Sequence, residues 1–418
     1  MPIRLDKIPA PLPAPPALRA WIWLLLLAAL LLLGAGLTLW WGREALAGQP
    51  TRFWLIALGA PLLTWCALVF VRLLVHLGKQ SVTDGWNEQR QVDLVQKLRQ
   101  GRRSQQILAV SLHTALRELE AADGKEQQLA LLRGQKALTV QADWLKSEEG
   151  ARHSRLAVKQ DEKPEMVLRR ILRHVLGDVA KALAKLPQDR PLAVLVEMNS
   201  SIPEECFNTL WQEVWAEAGI RQSATRLDGC GLSVVDHWLD QRIRDQALLL
   251  VVALQLAPAE VAGSAESAVG ILLGNRLTQT VLQPLAYLHR PEPAHAPTAQ
   301  ALRYAVCQAL DWVPVSAPSI RHVWRVAINP ALTETVASVA NEVALPGKSS
   351  EGLHDLDVFL GNPGCAAPWL AIASAVESQG NEATPHFIFS GDSTIDGRLW
   401  CSVVMPASVH KEQAADGC

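Results

Sequence analysis

Two long apolar stretches near the N-terminus constrain this chain more than any other feature of its sequence. The first, Trp21–Trp41, has 21 residues and no charged side chain. As a helix it would be roughly 30 Å long, about the thickness of the hydrocarbon core of a bilayer. The second, Phe53–Val71, has 19 residues and extends to Leu77 if Arg72 snorkels to the interface. Tryptophans stand at the ends of these stretches, as in the aromatic belts of membrane proteins. The sequence therefore predicts a transmembrane helical hairpin over residues 21–77.

Two other interpretations of the first stretch fit less well. A secretory signal peptide has a shorter apolar core, which is followed by a small-residue cleavage site. A signal peptide is also not followed at once by a second apolar stretch, as the first stretch is here. A pair of buried core helices seldom includes a run as rich in leucine as Leu24–Leu33. The transmembrane hairpin is the interpretation that agrees with both the length and the composition.

The basic residues around the two stretches predict their orientation. The segment between them, Gly42–Arg52, is short and has only Arg43 and Arg52 with Glu44 beside them, whereas both outer flanks are more basic. Because the cytoplasmic flanks of membrane helices are enriched in Lys and Arg, we expect both termini in the cytoplasm. The basic residues of the flanks are Arg4, Lys7 and Arg19 before the hairpin, and Arg72, Lys79, Arg90, Lys97, Arg99, Arg102 and Arg103 after it.

The cysteine pattern and the net charge exclude several classes of protein. The seven cysteines are widely spaced and form no CxxC or Cys/His pattern, which suits a reducing compartment and argues against disulfides and zinc. A net charge of −2 is not that of a nucleic-acid-binding protein. Neither a glycine-rich phosphate loop nor the GxSxG motif of α/β-hydrolases is present. We expect no cofactor and no metal, and we expect a lipid bilayer and a protein as partners.

The composition divides the chain into five segments. Residues 1–20 are rich in proline (PAPLPAPP) and are predicted to be disordered, and residues 21–77 form the hairpin. Residues 78–103 are polar with a weak apolar stripe and are predicted to form a helical stalk. Residues 104–406 are long enough for a domain with a substantial core, whose halves would cover about 104–290 and 300–406. Residues 407–418 form a tail.

Within residues 104–406, short apolar runs alternate with amphipathic stretches. The alternation occurs twice, around 105–277 and 323–406, and the continuously apolar runs predict strands that are buried on both faces. The predicted fold class is α/β, with two similar halves in a duplicated five-layered α/β/α/β/α plan. The predicted strands are Ile107–Leu112, Leu192–Val196, Ala247–Leu256, Val269–Leu273, Val323–Ile328, Asp357–Leu360, His386–Ser390 and Leu399–Met405, and the predicted helices are Met166–Leu186, Glu204–Ala218, Val234–Arg244, Ala331–Val343 and Ala366–Ser378.

Four segments of this region resemble the β-ketoacyl synthases and thiolases. In that family a strand leads to a small-residue turn with a cysteine nucleophile, and a long helix and a strand follow. The segment LDGCGLSVVDHWLDQRIRDQALLLVVALQLAP around Cys230 is similar to this arrangement. AESAVGILLGN (Ala265–Asn275) resembles the next strand, GNPGCAAPWLAIASAVES resembles the family's Gly-His-x-x-Gly-Ala-Ala segment, and HFIFSGDSTIDGRLWCSVVMP resembles its closing hairpin. The resemblance covers about 104–406 and implies a thiolase-like fold.

The resemblance marks two candidate catalytic residues. Cys230 matches the nucleophile, whose thiolate would be stabilised at the N-terminus of a helix. The family's histidine position is occupied by Asn362, which could still donate a hydrogen bond, and INPALTE (Ile328–Glu334), where a second histidine is expected, has none. The simpler interpretation of Cys230 is a small residue packed at a tight turn. The other histidines considered for the site stand in no motif: His322, His354 and His386.

The combination of hairpin and altered site suggests a function. A ketosynthase-like body without its histidines, tethered by a cytoplasm-facing hairpin, resembles the adaptor proteins of bacterial type VI secretion that serve lipase effectors. This resemblance implies a non-catalytic adaptor in the bacterial inner membrane that binds a secreted effector or a spike component. The ketosynthase-like fold implies a homodimer that pairs through Ala247–Leu256 and Val234–Arg244. Two alternatives stay open: a membrane-tethered, ketosynthase-like acyl-transfer enzyme that uses Cys230, and an inner-membrane immunity protein.

Overall fold

The computed structural model describes residues 3–41, 50–119, 121, 123–144, 150–380, 383–392 and 398–407. The chain consists of two compact units. We call Arg4–Lys97 the hairpin unit, and Leu98–Cys418 together with Met1–Ile3 the α/β unit. Most of the predicted connecting segment (residues 42–49) and most of the predicted tail (residues 408–418) lie outside the described residues.

The hairpin unit is built from two long apolar helices. The first is α1 (Ala20–Trp41), and the second runs on through α2 (Pro50–Trp54), a π-helical turn (Leu55–Gly59) and α3 (Ala60–Gly101). Both are long and apolar enough to cross a membrane, and only 6% of the residues in their most apolar windows are buried. Apolar side chains that stay exposed over such a length fit a lipid environment better than a protein core. The two predicted spans are therefore candidate membrane helices.

Gly34 allows the two helices of the hairpin to approach each other closely. A Cβ atom at Gly34 would lie 2.2 Å from Cγ of Pro61 and 2.6 Å from the carbonyl oxygen of Ala57. The indole N–H of Trp65 donates a hydrogen bond to the carbonyl of Trp23 across the hairpin, at 2.8 Å. Small residues at a helix–helix contact are typical of membrane helices, because they let the backbones meet.

The N-terminal tail lies beside the polar part of α3. The side chain of Asn87 accepts a hydrogen bond from the Leu12 N–H at 2.9 Å and donates one to the Leu12 carbonyl at 3.1 Å. Arg90 Nε donates to the carbonyl of Pro9 at 2.6 Å. The disorder predicted for residues 1–20 stays a prediction, but the described part of this tail has definite partners within its unit.

The described residues of the α/β unit form strands and helices in the alternating order that the sequence indicates. The first group is β1 (Ser104–Thr114), α4 (Lys125–Leu132), β2 (Thr139–Gln141), β3 (Ala151–His153), α5 (Pro164–Leu183), β4 (Leu192–Ser200), α6 (Glu204–Ala218), β5 (Ala224–Arg226), α7 (Gly231–Gln241), β6 (Leu248–Leu256) and β7 (Ser267–Asn275). The second is β8 (Ala286–His289), β9 (Glu292–Pro293), α8 (Ala299–Trp312), β10 (His322–Val326), α9 (Thr333–Val343), β11 (Leu353–Asp355), α10 (Leu356–Phe359), α11 (Ala367–Glu377), β12 (His386–Gly391) and β13 (Leu399–Pro406).

The strand order shows the duplication directly. The first group is ordered β5-β4-β6-β7-β1 and the second β11-β10-β12-β13-β8, so each follows the order third, second, fourth, fifth, first along its own part of the chain. The strand directions match as well, because only β7 and β13 run antiparallel to their neighbours within each group. Antiparallel pairing of β1 with β8 joins the two groups into one sheet, to which β9 adds a short pairing with β13. The duplicated α/β plan is confirmed.

The α/β unit has five layers. Because side chains alternate across the strands, each group of strands has two faces, and helices pack on these faces. Helices α7 and α11 lie in a core between the inner faces of the two groups, and α11 is buried along nearly its whole length. Helices α5 and α6 cover the outer face of the first group, and α8 contacts β13 and α9 on the side of the second. Burial of each Leu or Val side chain contributes about 1.5–3 kcal/mol to the free energy of folding. Helix α11 is buried between the two groups of strands, and it therefore depends on both of them for its position.

Several elements differ from the sequence-based expectation. The predicted strand Asp357–Leu360 is wrong: strand β11 ends at Asp355, whose carboxylate accepts a hydrogen bond from the Val358 N–H and so caps the short helix α10. Helices α4 and α8 and the strands β2, β3, β5, β8, β9 and β11 were not predicted. The sequence of β8 has only four residues, too few to show an alternating pattern.

Candidate functional site

Cys230 lies in a tight turn at the beginning of α7. Its own backbone is extended, with φ −155° and ψ 153°, and its side chain is half-buried. Gly229 and Gly231 on either side have φ values of 131° and 56°, which side-chain-bearing residues rarely adopt. The carbonyl of Cys230 accepts a hydrogen bond from Ser233 Oγ at 2.6 Å. The turn therefore presents Cys230 at the N-terminus of an 11-residue helix, where the sequence placed it.

The carboxyl group of Glu197, on β4, is bound to this helix N-terminus. Its Oε1 accepts hydrogen bonds from the Gly231 N–H at 2.7 Å and from Nε1 of Trp369, on α11, at 3.2 Å. Glu197 is only 6% exposed, and its Oε2 has no hydrogen-bond partner. Burial raises the pKa of Glu197 to about 7; the two hydrogen bonds lower it, and the charge of Asp392 raises it. One buried carboxyl group thus connects β4, α7 and α11.

Asn362 lies just before α11, and its side chain bonds to the backbone of its own turn. Its Oδ1 accepts a hydrogen bond from the Gly364 N–H at 2.9 Å. Its carbonyl accepts bonds from the Ala265 N–H at 2.9 Å and from Gln255 Nε2 at 2.8 Å. Gln255 Oε1 in turn accepts a bond from Asn199 Nδ2 at 2.7 Å. Asn362 is therefore part of a polar network at the ends of β4 and β6, in which its own side chain bonds to the turn.

A second cysteine, Cys365, lies close to Glu197. Its thiol donates to the carbonyl of Leu254 at 3.5 Å. Burial, and after it the negative charge of Glu197, raises the pKa of the Cys365 thiol to about 12. A thiol with such a pKa stays protonated at neutral pH and is a poor nucleophile.

The three histidines considered for the site lie together, but at the wrong end of their strands. His322 and His386 are the first residues of β10 and β12, and His354 is the second residue of β11. Asp392, whose charge acts on Glu197, follows the other end of β12. Because a strand rises about 3.3 Å per residue, the length of β12 puts roughly 20 Å between His386 and Asp392. These histidines therefore do not reach the Glu197 carboxyl.

The INPALTE segment after β10 is held by backbone contacts. The N–H groups of Ala327 and Ile328 donate to the carboxylate of Asp357 at 2.9 and 3.1 Å. Burial raises the pKa of Asp357 to about 6, although these two hydrogen bonds lower it. Among the residues that the structure describes, no group of three His, Cys, Asp or Glu side chains is arranged to hold a metal ion.

The residues that surround Cys230 and Asn362 were not identified from the sequence. Glu197 belongs to no motif. Gln255 and Trp369 lie within segments that resemble the family, but the resemblance did not mark them as site residues. The one available signal was Glu197 itself, a charged residue directly after the apolar run Leu192–Val196. Charged side chains are almost never fully buried unless they have a partner or a role.

Comparisons with known proteins identify the fold. No family model matches the sequence, and no curated protein sequence matches it. The ishigamide ketosynthase/chain length factor is similar in structure, with a TM-score of 0.53 and 13% identity over 72% of this chain and 99% of that chain. Also similar are human mitochondrial 3-ketoacyl-CoA thiolase (TM-score 0.44, 9% identity, 73% and 99% covered) and 3-oxoacyl-[acyl-carrier-protein] synthase III from Aquifex aeolicus VF5 (TM-score 0.41, 12% identity, 72% and 99% covered). The α/β unit has a thiolase-like fold, as the resemblance implied.

Proposed function

We propose that this chain is a membrane-anchored, thiolase-like binding protein that has no catalytic activity. The observation that carries the proposal is the Glu197 carboxyl group at the N-terminus of α7. In a thiol-dependent enzyme the free N–H groups of such a helix stabilise a thiolate or an oxyanion. Here the first of these N–H groups, that of Gly231, is already bound to a carboxylate oxygen.

The electrostatics of the site also disfavour a nucleophilic cysteine. A carboxyl group opposes the formation of a second negative charge nearby, as it does for the thiol of Cys365. Nucleophilic catalysis by cysteine further requires a base and an oxyanion donor. The Oδ1 of Asn362 accepts a hydrogen bond within its own turn, which does not occupy its Nδ2 donor, but the three histidines that could serve as the base lie at the other end of their strands.

We further propose that the hairpin anchors this body at a bacterial inner membrane and that the partner is a secreted effector or a spike component of type VI secretion. The support is the resemblance of the overall plan, a candidate membrane hairpin followed by an altered ketosynthase-like body. Fold alone does not determine function, so the identity of the partner must come from experiment.

We also propose a homodimer. The expected contact through Ala247–Leu256 does not fit, because β6 lies between β4 and β7 and is buried throughout, so we propose the edge strand β5 as the contact. Strand β5 ends the sheet of the described residues, and its three residues are exposed. Beside it, Trp211 and Trp215 stack at 5.5 Å and line a groove of about 290 Å³ with Phe207 and Arg226. An exposed sheet edge with half-buried aromatic side chains is the kind of surface that a second chain covers.

An affinity purification tests the adaptor proposal. Tagged full-length protein in mild detergent would be purified as wild type, as Cys230→Ala and as Cys307→Ala, which removes an exposed cysteine on α8. We expect a secreted toxin or a spike component to co-purify equally with all three forms, and light scattering to give the mass of a dimer. The proposal fails if no such partner appears and an acyl group is found on Cys230 in wild type and Cys307→Ala.

The second candidate is an acyl-transfer enzyme that uses Cys230. What favours it is the position of Cys230 between two glycines at a helix N-terminus. This candidate predicts covalent labelling of Cys230 by an acyl-CoA or a ketosynthase-directed electrophile, with no labelling in Cys230→Ala.

A further inference from the structure

Three imidazoles stand close together at the amino ends of the parallel strands β10, β11 and β12. His322 pairs in register with His386, and their ring centres are 4.7 Å apart. The rings of His322 and His354 are stacked at 5.2 Å, and His354 is stacked at 4.3 Å on Trp324, its partner in register. His354 is 4% exposed and His386 is fully buried, while His322 is half-buried. His322 is therefore the member of the cluster through which solvent reaches the others.

The hydrogen bonds of this cluster limit which of its imidazoles can be protonated. Trp324 Nε1 donates to His386 Nδ1 at 3.1 Å, so that Nδ1 must act as an acceptor and cannot carry a proton. His322 Nδ1 and His354 Nε2 are 2.9 Å apart, so one donates and the other accepts. Full protonation of His386 would turn an acceptor into a donor facing the Trp324 N–H. Full protonation of both His322 and His354 would put two donors against each other.

Few charges face this cluster from the elements packed around it. Arg325 and Asp355 form an ion pair at 2.8 Å, but as neighbours of Trp324 and His354 in their strands they lie on the opposite face of the sheet. At the end of α11, Ser378 Oγ lies 3.4 Å from His386 Nδ1, while the charges that act on Glu377 are those of Arg117 and Asp178.

The pKa values agree with this geometry. Burial, followed by the neighbouring His322, lowers the pKa of His354 to about 4. Burial, followed by His322 and then His354, lowers that of His386 to about 3. At His354 and His386, burial and the neighbouring imidazoles therefore both disfavour an imidazolium.

We propose that His322, His354 and His386 form a proton-sensitive latch that closes the amino end of the second group of strands when all three are neutral. Uptake of protons removes the Trp324–His386 or the His322–His354 hydrogen bond and places like charges at stacking distance. Strand β11 is the edge of the sheet among the described residues and has three residues, so this corner can open without disrupting β4 or β6.

The direction of the effect follows from linkage. In the open state each histidine regains a pKa near 6.5, so the open state binds more protons than the closed one below that pH. The latch is therefore fully closed above about pH 7 and opens as the pH falls below 6.5. Between pH 7 and pH 5 one such histidine raises the opening equilibrium constant by roughly 20-fold.

Hydrogen exchange of the full-length chain in lipid nanodiscs, measured at pH 7 and pH 5 and corrected for the intrinsic exchange rates, tests the latch. We expect protection in segments 322–324, 353–355 and 386–388 to fall at least about 20-fold more than in segments 192–200 and 248–256. His354→Phe keeps the stacking on Trp324 but cannot be protonated. In this variant the loss of protection between pH 7 and pH 5 should therefore be about 20-fold smaller than in the wild type. His322→Gln, at the half-buried position, provides a second variant that disturbs the core less.

His237→Gln is the matched control, because His237 is exposed on α7 and outside the cluster. It should respond to pH as the wild type does. The proposal is overturned if the wild-type segments of the latch lose no more protection than the reference segments. It is also overturned if the acid response persists unchanged in both His354→Phe and His322→Gln.

Discussion

A buried carboxyl group stands at the N-terminus of α7, next to the residue that the family resemblance marks as a nucleophile. One carboxyl oxygen of Glu197 accepts hydrogen bonds from two N–H donors, and the other has no hydrogen-bond partner, so the charged form is poorly solvated. Its folded pKa of about 7 lies above the unfolded value of about 4.3. The native carboxyl group therefore holds its proton in a pH range where the unfolded one has lost it. Its contribution to stability is full below about pH 4 and is lost as the pH rises towards 7.

Glu197→Gln should stabilise the protein at alkaline pH. Glutamine keeps an oxygen that accepts from Gly231 and Trp369 and cannot ionise, so the variant should gain roughly 3 kcal/mol on wild type between pH 4.5 and pH 8. The buried histidines titrate in the opposite direction, and only the difference between the two proteins isolates Glu197. Thermal unfolding across this range measures it, with Glu260→Gln, at an exposed loop position, as the control. Parallel curves for wild type and Glu197→Gln would contradict the assigned pKa.

At the residue scale the sequence identified positions but not their surroundings. Cys230 and Asn362 were placed correctly at the beginnings of α7 and α11, because turn glycines and apolar periodicity are local signals. Their roles as catalytic residues stay predictions. The contacts of Glu197 with Gly231 and Trp369 join residues 34 and 172 positions apart, and no local pattern encodes such pairings.

At the element scale, Pro61 explains the irregular helix of the hairpin. Proline has no N–H, so the carbonyl of Ala57 loses its usual partner four residues on. The preceding turn widens into a π-helix, in which the Ala60 N–H bonds to the carbonyl of Leu55. In lipid, an exposed backbone carbonyl without a hydrogen-bond partner is unfavourable in free energy. Gly34 of α1 lies against the carbonyl of Ala57.

Gly34→Leu should force the two helices of the hairpin apart. A side chain at this position meets Pro61 and Ala57, whereas one at Gly36 meets nothing within 4 Å, which makes Gly36→Leu the matched control. We expect the interhelical distance to grow by about 2 Å in the first variant only. Spin labels at Cys66 and at Leu32→Cys, in a fragment of residues 1–103 in nanodiscs, would report it. Equal distances in both variants would show that Gly34 is not at the contact.

The elements that were predicted correctly are those with long, strong patterns. Helix α5 buries eight apolar residues on one face, and strands β6 and β7 are largely apolar and buried throughout. Some failures have local causes: β5 and β8 are too short to show a period, and a side-chain cap turned the predicted strand after Asp355 into α10. Helix α8 was missed although it has 14 residues and buries seven of them. The short strands form because they pair with strands that are distant in the sequence. That pairing cannot be recognised from a short window of sequence.

At the scale of the whole molecule, the duplication was visible in the order of elements rather than in repeated residues. The two groups of strands share order and direction, and the pairing of β1 with β8 makes them one sheet. The sequence predicted two halves because each must bury its own apolar strands between helices. It did not predict how they join, because β8, which makes the joining pair with β1, was not predicted as a strand.

The hairpin unit also carries an argument about topology. Asn87 and Arg90 lie beyond the apolar part of the second helix, and they bind the backbone of Leu12 and Pro9, which precede the first. Residues in hydrogen-bond contact cannot face opposite sides of a bilayer. If both apolar helices span the membrane, the N-terminal tail and the polar part of α3 therefore share one side, and the basic flanks predict that it is the cytoplasm.

Cysteine accessibility tests this topology. In spheroplasts, a membrane-impermeant maleimide should label Arg52→Cys, between the apolar helices, and leave Pro13→Cys and Gln89→Cys unlabelled. Inverted vesicles should give the reverse pattern, and peptide-resolved mass spectrometry separates these sites from the native cysteines. Labelling of Pro13→Cys and Gln89→Cys from opposite sides would mean that only one apolar helix spans the bilayer. The tail could then not reach α3, and the anchor would have to be a single span.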